Sequence, residues 1–313
     1  MIVDAHTHIF PEVRGLTQEG CTRGLGYGRV AVGKSKVQLI PPLGEQTIHT
    51  PEMLIAHMDW VGVDKAVLLQ GPFYGECNQY VCAAVRRHPD RLIGLGYLDP
   101  WDKEARASFR NISRSPQFVG VKVEFSESTG FCGIHPGARL DDPNIAWFWA
   151  ELERQGMMLV IDLGAIGSAS YQTAAVRMIA TTHPGLTITI AHLGQPTPAG
   201  ESDAKAWRLW EEQIELGLLP NVFFDTASLP AYVAEEGYPF LKAGHYLREA
   251  ISRLGSSKVM WGTDIPGLLS VAMYNQLLHS AQQQLSFLSD AERAQVFGEN
   301  ALRIFRRRVD IVR

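Results

Sequence analysis

The chain has 313 residues, 46% of them hydrophobic and 20% charged, with a net charge of −4. That balance supports a large buried core and implies no general attraction to nucleic acid or to an anionic membrane surface. It opens with no basic segment leading into an apolar stretch and contains no run of about eighteen apolar residues, so neither a signal peptide nor a membrane span is expected. The expectation is a cytoplasmic, enzyme-sized domain whose four cysteines, Cys21, Cys77, Cys82 and Cys132, are free thiols without metal-type spacing.

In chain order, eight short apolar runs read as strands: residues 1–6 (MIVDAH), 65–70, 91–98, 118–125, 157–162, 186–192, 221–227 and 258–264. Most are continuously apolar and not alternating, as in parallel strands covered on both faces. Helical segments lie between them at 50–62, 78–89, 143–156, 171–185 and 246–256, several closing on Gly or Pro. Thr50 before Pro51 has the form of an N-cap followed by proline in the first turn. Residues 11–49 show little periodicity and read as a long loop after the first strand, the length expected of a lid. A last helix covers 288–305, and the Arg306–Arg308 run after it reads as a solvated end. Strands alternating with helices predict an α/β fold, a closed (β/α)8 TIM barrel forming one domain over 1–313. A doubly wound open sheet is second choice, because no Gly-rich phosphate loop follows the first strand.

In such a barrel the functional groups sit at the C-terminal ends of the strands. The first strand ends DAHTH, and on a regular strand Asp4, His6 and His8 would share one face. Alone, that spacing suits two ordinary polar residues as well as half a metal site. The fourth strand carries Lys122 and Glu124, the fifth ends at Asp162, the sixth at His192 and the eighth at Asp264. Imidazoles and carboxylates converging at one mouth are costly to bury unpaired, and a divalent cation is their natural partner.

The motifs DAHTHIF, ITIAHLGQP and VMWGTDIP, in this order, resemble the amidohydrolase superfamily. The likeness is strongest to the branch with aminocarboxymuconate-semialdehyde decarboxylase, related aromatic-acid decarboxylases and lactonases. The closing SDAERAQVFGENALRIF also resembles that branch. The resemblance implies one divalent metal ion, zinc first and manganese as the alternative, held by His6, His8 and Asp264. It gives Asp264 a proton-handling role and sets His192 beside the metal as acid/base or polariser. The branch usually has a histidine ligand at the end of the fifth strand, where this chain has Asp162. A carboxylate there could replace it as a ligand and favour manganese, or the site could work without a catalytic metal, as in some lactonases.

The activity this implies is hydrolysis of a small ester, lactone or amide by a metal-activated water, with Asp264 and His192 catalytic. Non-oxidative decarboxylation of an aromatic or enoic acid is the alternative, and a binding protein on a decayed barrel the third reading. Lys122 and Glu124 are candidate substrate contacts; alternatively Lys122 pairs with Glu124 as a structural ion pair, or is a carbamylated bridging lysine. The basic side chains of residues 11–49 (Arg14, Arg23, Arg29, Lys34, Lys36) suit a lid over an anionic, carboxylate-bearing substrate, with Arg29 taken as a contact. His135, Tyr27, Phe73 and Tyr74 are further wall candidates, while Trp147, Phe148 and Trp149 read as core. The partner is thus a small molecule, with no nucleic acid or membrane, and a homodimer is the default assembly.

Overall fold

The computed structural model describes residues 1–306; Arg307 and Arg308 of the basic run lie outside them. Eight parallel strands follow one another in a single sheet: β1 (Val3–Thr7), β6 (Lys65–Leu68), β7 (Leu92–Tyr97), β8 (Phe118–Glu124), β9 (Met158–Asp162), β10 (Ile188–Ile190), β11 (Val222–Asp225) and β12 (Val259–Met260). All eight expected strands are present, most trimmed by a few residues at their ends. Beyond β12 the chain closes the circle against β1. Ala5 N donates to Trp261 O at 3.0 Å, Asp264 N to His6 O at 2.8 Å and His8 N to Ile265 O at 2.8 Å. Gly262 permits this approach, since a Cβ there would stand 3.1 Å from His6 Cβ.

Alternate residues of the strands fill the inside of the barrel. Val3, Ala5, Val67, Leu69, Leu95, Met158, Val160, Phe223 and Met260 form one cluster, closed by Ala301, Ile304 and Phe305 of the last helix. The larger apolar cluster lies between the strands and the surrounding helices, with Phe148 and Trp149 fully within it as expected. The pairing of β1 with β6 shifts register between Asp4 and Thr7. This irregularity breaks the expected face-sharing, as a bulge re-aims the side chains beyond it. Asp4 accepts from Thr263 Oγ1 at 2.5 Å and Tyr274 Oη at 3.0 Å, whereas His6 and His8 face the barrel mouth.

Residues 11–49 are not a structureless loop. They contain a four-stranded antiparallel sheet of β2 (Leu16–Thr17), β3 (Gly20–Gly26), β4 (Arg29–Val32) and β5 (Ser35–Gln38). The strands are short and few of their residues are buried, so they carry no apolar alternation. Three further long helices, Ala105–Arg114, Ala204–Ile214 and Tyr274–Gln284, are not among the expected segments. The last helix runs from Asp290 to Ile304 with a π-turn at Gln295–Glu299. No helix among the described residues is long and apolar enough to cross a membrane.

Candidate active site

A cavity of about 340 Å³ opens at the C-terminal ends of the strands. His8, Lys122, Glu124, Asp162, His192 and Asp264 all line it, with Phe73, Tyr74, Leu39, Tyr232 and several hydroxyl and amide side chains. His6 is fully buried just beneath. Strand register does much of this placement: Glu124 is the direct neighbour of Asp162 across β8 and β9. Of the seven described non-glycine residues with positive φ, four, His192, Gln195, Ser228 and Asp264, line the cavity, with φ between 56° and 71°. Such backbone is costly for L residues, and here it falls on groups that line the cavity.

His6 Nε2, His8 Nε2 and an Asp264 oxygen lie within 4.8 Å of one another. Asp264 Oδ1 is 2.9 Å from His8 Nε2 and 3.8 Å from His6 Nε2, and its other oxygen accepts from Ser228 Oγ at 2.5 Å. The far nitrogens of both rings are tied down: His6 Nδ1 sits 3.1 Å from Asp225 Oδ2, and His8 Nδ1 is 2.9 Å from Leu69 O. With Nδ1–H donating outward, each Nε2 keeps its lone pair toward the group, the arrangement that orients metal-binding histidines. Burial holds both imidazoles below their usual pKa and therefore neutral. Burial alone would raise the Asp264 pKa, but the positive charge of the nearby His192 ring favours its ionised form. Two neutral imidazoles and one carboxylate, with the rest of the space open to the cavity, are a fitting donor set for one divalent ion.

Asp162 is not brought into that group. Its Oδ2 is 3.1 Å from His192 Nε2, while Oδ1 accepts from Gly164 N at 2.8 Å and Gln195 Nε2 at 2.9 Å. Both of its oxygens are engaged with these partners, and Asp162 is not in either group of side chains that could jointly hold an ion among the described residues. His192 Nδ1 in turn lies 3.1 Å from Ala227 O. Burial would lower the His192 pKa, but the Asp162 carboxylate outweighs it and pushes the ring up to about 10. His192 is therefore an imidazolium, with both N–H groups donating.

Lys122 Nζ is 3.1 Å from Glu124 Oε2 and 3.5 Å from His6 Nε2. Burial opposes its charge, yet Glu124, Asp162 and Asp264 together raise its pKa. Glu124 also accepts from Ser126 Oγ at 2.6 Å.

Two expected substrate contacts lie elsewhere. Arg29 stands on β4, its Nε donating to Gly26 O at 3.4 Å, and does not line the cavity. Of residues 11–49 only Leu39 does, because the small sheet turns its charged side chains to solvent. His135 is held by Asp99, Nε2 to Oδ2 at 2.6 Å, beside Trp101 and outside the cavity. Tyr27 is likewise exposed on a turn, whereas Phe73 and Tyr74 do form wall. Sequence reading passed over Asp225, although it ends β11 just as Asp162 ends β9, so the strand-end rule applied to every strand would have found it.

The amidohydrolase family profile matches residues 3–307. The chain belongs to the amidohydrolase family. It is 26% identical over 268 residues to gamma-resorcylate decarboxylase of Rhodococcus jostii (strain RHA1), covering 73% of this chain and 75% of that one. It is 24% identical over 251 residues to L-fucono-1,5-lactonase of Burkholderia ambifaria, covering 78% and 81%. In fold it resembles a zinc-bound amidohydrolase from Burkholderia multivorans, with a TM-score of 0.71, 18% identity and coverage of 97% and 99%. Membership of this metal-dependent family is compatible with both hydrolysis and decarboxylation, since relatives of similar identity are a lactonase and a decarboxylase.

Proposed function

We propose that this amidohydrolase hydrolyses a small, uncharged, hydroxyl-bearing lactone or ester. The observation that carries this reading is the cavity wall. Ser126, Ser128, Thr129, Gln195, Ser228 and Tyr232 offer hydroxyl and amide groups, and no arginine is among the lining residues. Lys122 and the His192 imidazolium already face carboxylates, and three carboxylates (Glu124, Asp162, Asp264) meet whatever enters. A carboxylate-bearing substrate would lack the bidentate partner that guanidinium groups supply. The anionic substrate expected from the basic lid thus gives way to a neutral one.

One divalent ion, zinc first, would be held by His6, His8 and Asp264, two imidazoles and a carboxylate being a common zinc set. Bound there, it supplies the Lewis acidity that makes water a nucleophile near neutral pH. Asp264, ionised and half-open to the cavity, takes the proton of the attacking water. Its backbone is fixed by His6 O and its outer oxygen by Ser228, so the proton is received at a defined atom. His192 holds a proton on Nε2 at the cavity surface and delivers it to the departing oxygen, Asp162 having kept it charged until then.

The test is product analysis of the metal-loaded protein against a panel of sugar lactones, simple esters and hydroxylated benzoic acids. Ring-opened hydroxy acid from the lactones supports the reading. Carbon dioxide from the benzoates, with the lactones untouched, overturns it in favour of decarboxylation.

A further inference from the structure

Lys122 and its partner Glu124 are cavity groups for which the metal and proton roles above have no use. Lys122 is nearly fully buried, yet it lines the cavity. Its ammonium has three N–H donors. Among the described residues it has two acceptors, Glu124 Oε2 at 3.1 Å and, more distantly, His6 Nε2 at 3.5 Å. The second is a nitrogen that faces the divalent-ion position, so a full positive charge stands beside that position without being a ligand. Burial removes the water that would otherwise screen it, and the Glu124 carboxylate, itself held by Ser126, keeps the ammonium in place.

We propose that Lys122 is a second, covalently held cation of the site: its ammonium stands beside the divalent-ion position and binds the acyl oxygen of the substrate as negative charge builds there. This rests on the hydrolytic reading above. Water oxygen bonds to the acyl carbon and yields a proton to Asp264, while the carbonyl electron pair moves onto the acyl oxygen, where Lys122 donates a hydrogen bond. The pair returns as the bond from acyl carbon to alkoxy oxygen breaks. The alkoxy oxygen takes the His192 proton, the proton held by Asp264 makes good that loss, and the product is a hydroxy acid. A fixed donor aimed at the developing charge acts in the transition state more than in the bound ground state.

Two consequences are separable. The ammonium repels a divalent ion, so removing it tightens metal binding; and it stabilises the oxyanion, so removing it lowers kcat. Lys122→Met is expected to lower the dissociation constant for Zn²⁺ at least tenfold, read by competition with a chromophoric chelator. On the best lactone, kcat of the zinc-loaded variant falls at least a hundredfold with KM within about threefold, the pattern of an interaction made in the transition state. The double variant Lys122→Met/Glu124→Gln leaves no buried carboxylate unpaired or free to act as a new ligand, and it keeps a tighter Zn²⁺ affinity than the native protein. Unchanged or weaker zinc affinity in both variants overturns the cation role, and near-native kcat overturns the oxygen-binding role. The zinc measurement needs no substrate. If the native protein opens no lactone and cleaves no ester, the hydrolytic reading and the oxygen-binding role fall together, while the zinc affinities still decide the cation role.

Discussion

Asp162 and His192 form a closed pair at the mouth of the barrel, Oδ2 to Nε2 at 3.1 Å, with both side chains less than a tenth exposed. In the proposed mechanism this carboxylate therefore serves the acid and not the metal. Asp162→Asn removes the charge that keeps His192 protonated but leaves all three proposed ligands intact. Elemental analysis should show native metal content, while kcat falls about a hundredfold, the lower range for loss of a general acid. If metal and activity were lost together, Asp162 would be a ligand after all.

Asp225 acts on the other side of the same cluster. Its Oδ2 takes His6 Nδ1–H, and its Oδ1 accepts from His192 N at 2.9 Å and Ala227 N at 3.1 Å. Asp225→Asn can present an amide N–H where His6 needs an acceptor, which turns the ring or changes its tautomer. Chelator competition should show metal affinity weakened by about 10- to 100-fold, the usual cost of losing such an outer partner. Unchanged affinity would mean that His6 is held by packing alone.

His49 gives the fold an acid-sensitive point. Its Nδ1 donates to His8 O at 2.7 Å and its buried Nε2 has no hydrogen-bond partner among the described residues. Burial lowers its pKa to about 4. The unfolded chain takes up this proton near pH 6.5 and the folded one only near pH 4, so stability is lost as pH falls between those values. The loss amounts to about 3 kcal/mol at the acid end. His49→Asn keeps a donor for His8 O and removes the titration. Denaturant unfolding from pH 7.5 to 4 should show a shallower decline for the variant than for the native chain; parallel curves would contradict this.

Asn300 locks the final helix to the base of the barrel. Its Nδ2 donates to Ser256 O at 2.8 Å and Val259 O at 2.9 Å, and its Oδ1 accepts from Arg303 Nη2 at 2.9 Å. Asn300→Ala leaves two buried carbonyls without these donors, a cost of about 2–4 kcal/mol. Chemical denaturation should register that loss with kcat nearly unchanged, because the residue is remote from the cavity. A change under 0.5 kcal/mol, about the size of an ordinary surface substitution, would contradict it.

The barrel was legible because strands buried on both faces must be continuously apolar, and the polar group ending each one then stands out. His6, His8, Asp162, His192 and Asp264 were found in that way, and the structure gathers all five around one mouth. What each does depends on the residue it faces, and facing partners come from distant strands. Nothing local to Asp162 announces His192. Asp4 was misplaced because an irregular pairing in β1 interrupts strict alternation, which no residue type marks. Arg29 and His135 were chosen for their chemistry in segments with no period to fix their direction, and neither reaches the cavity. The small sheet of residues 16–38 stayed hidden because strands so exposed need no apolar pattern.

In the proposed function His6, His8 and Asp264 hold one divalent ion on which turnover depends. Metal content per chain, measured with lactone hydrolysis before and after chelation, tests it most directly. The expected result is close to one zinc or manganese per chain, loss of activity on removal, recovery on adding the metal back, and failure of Asp264→Ala to retain it. A protein that carries no metal and hydrolyses its substrate at an undiminished rate would contradict it.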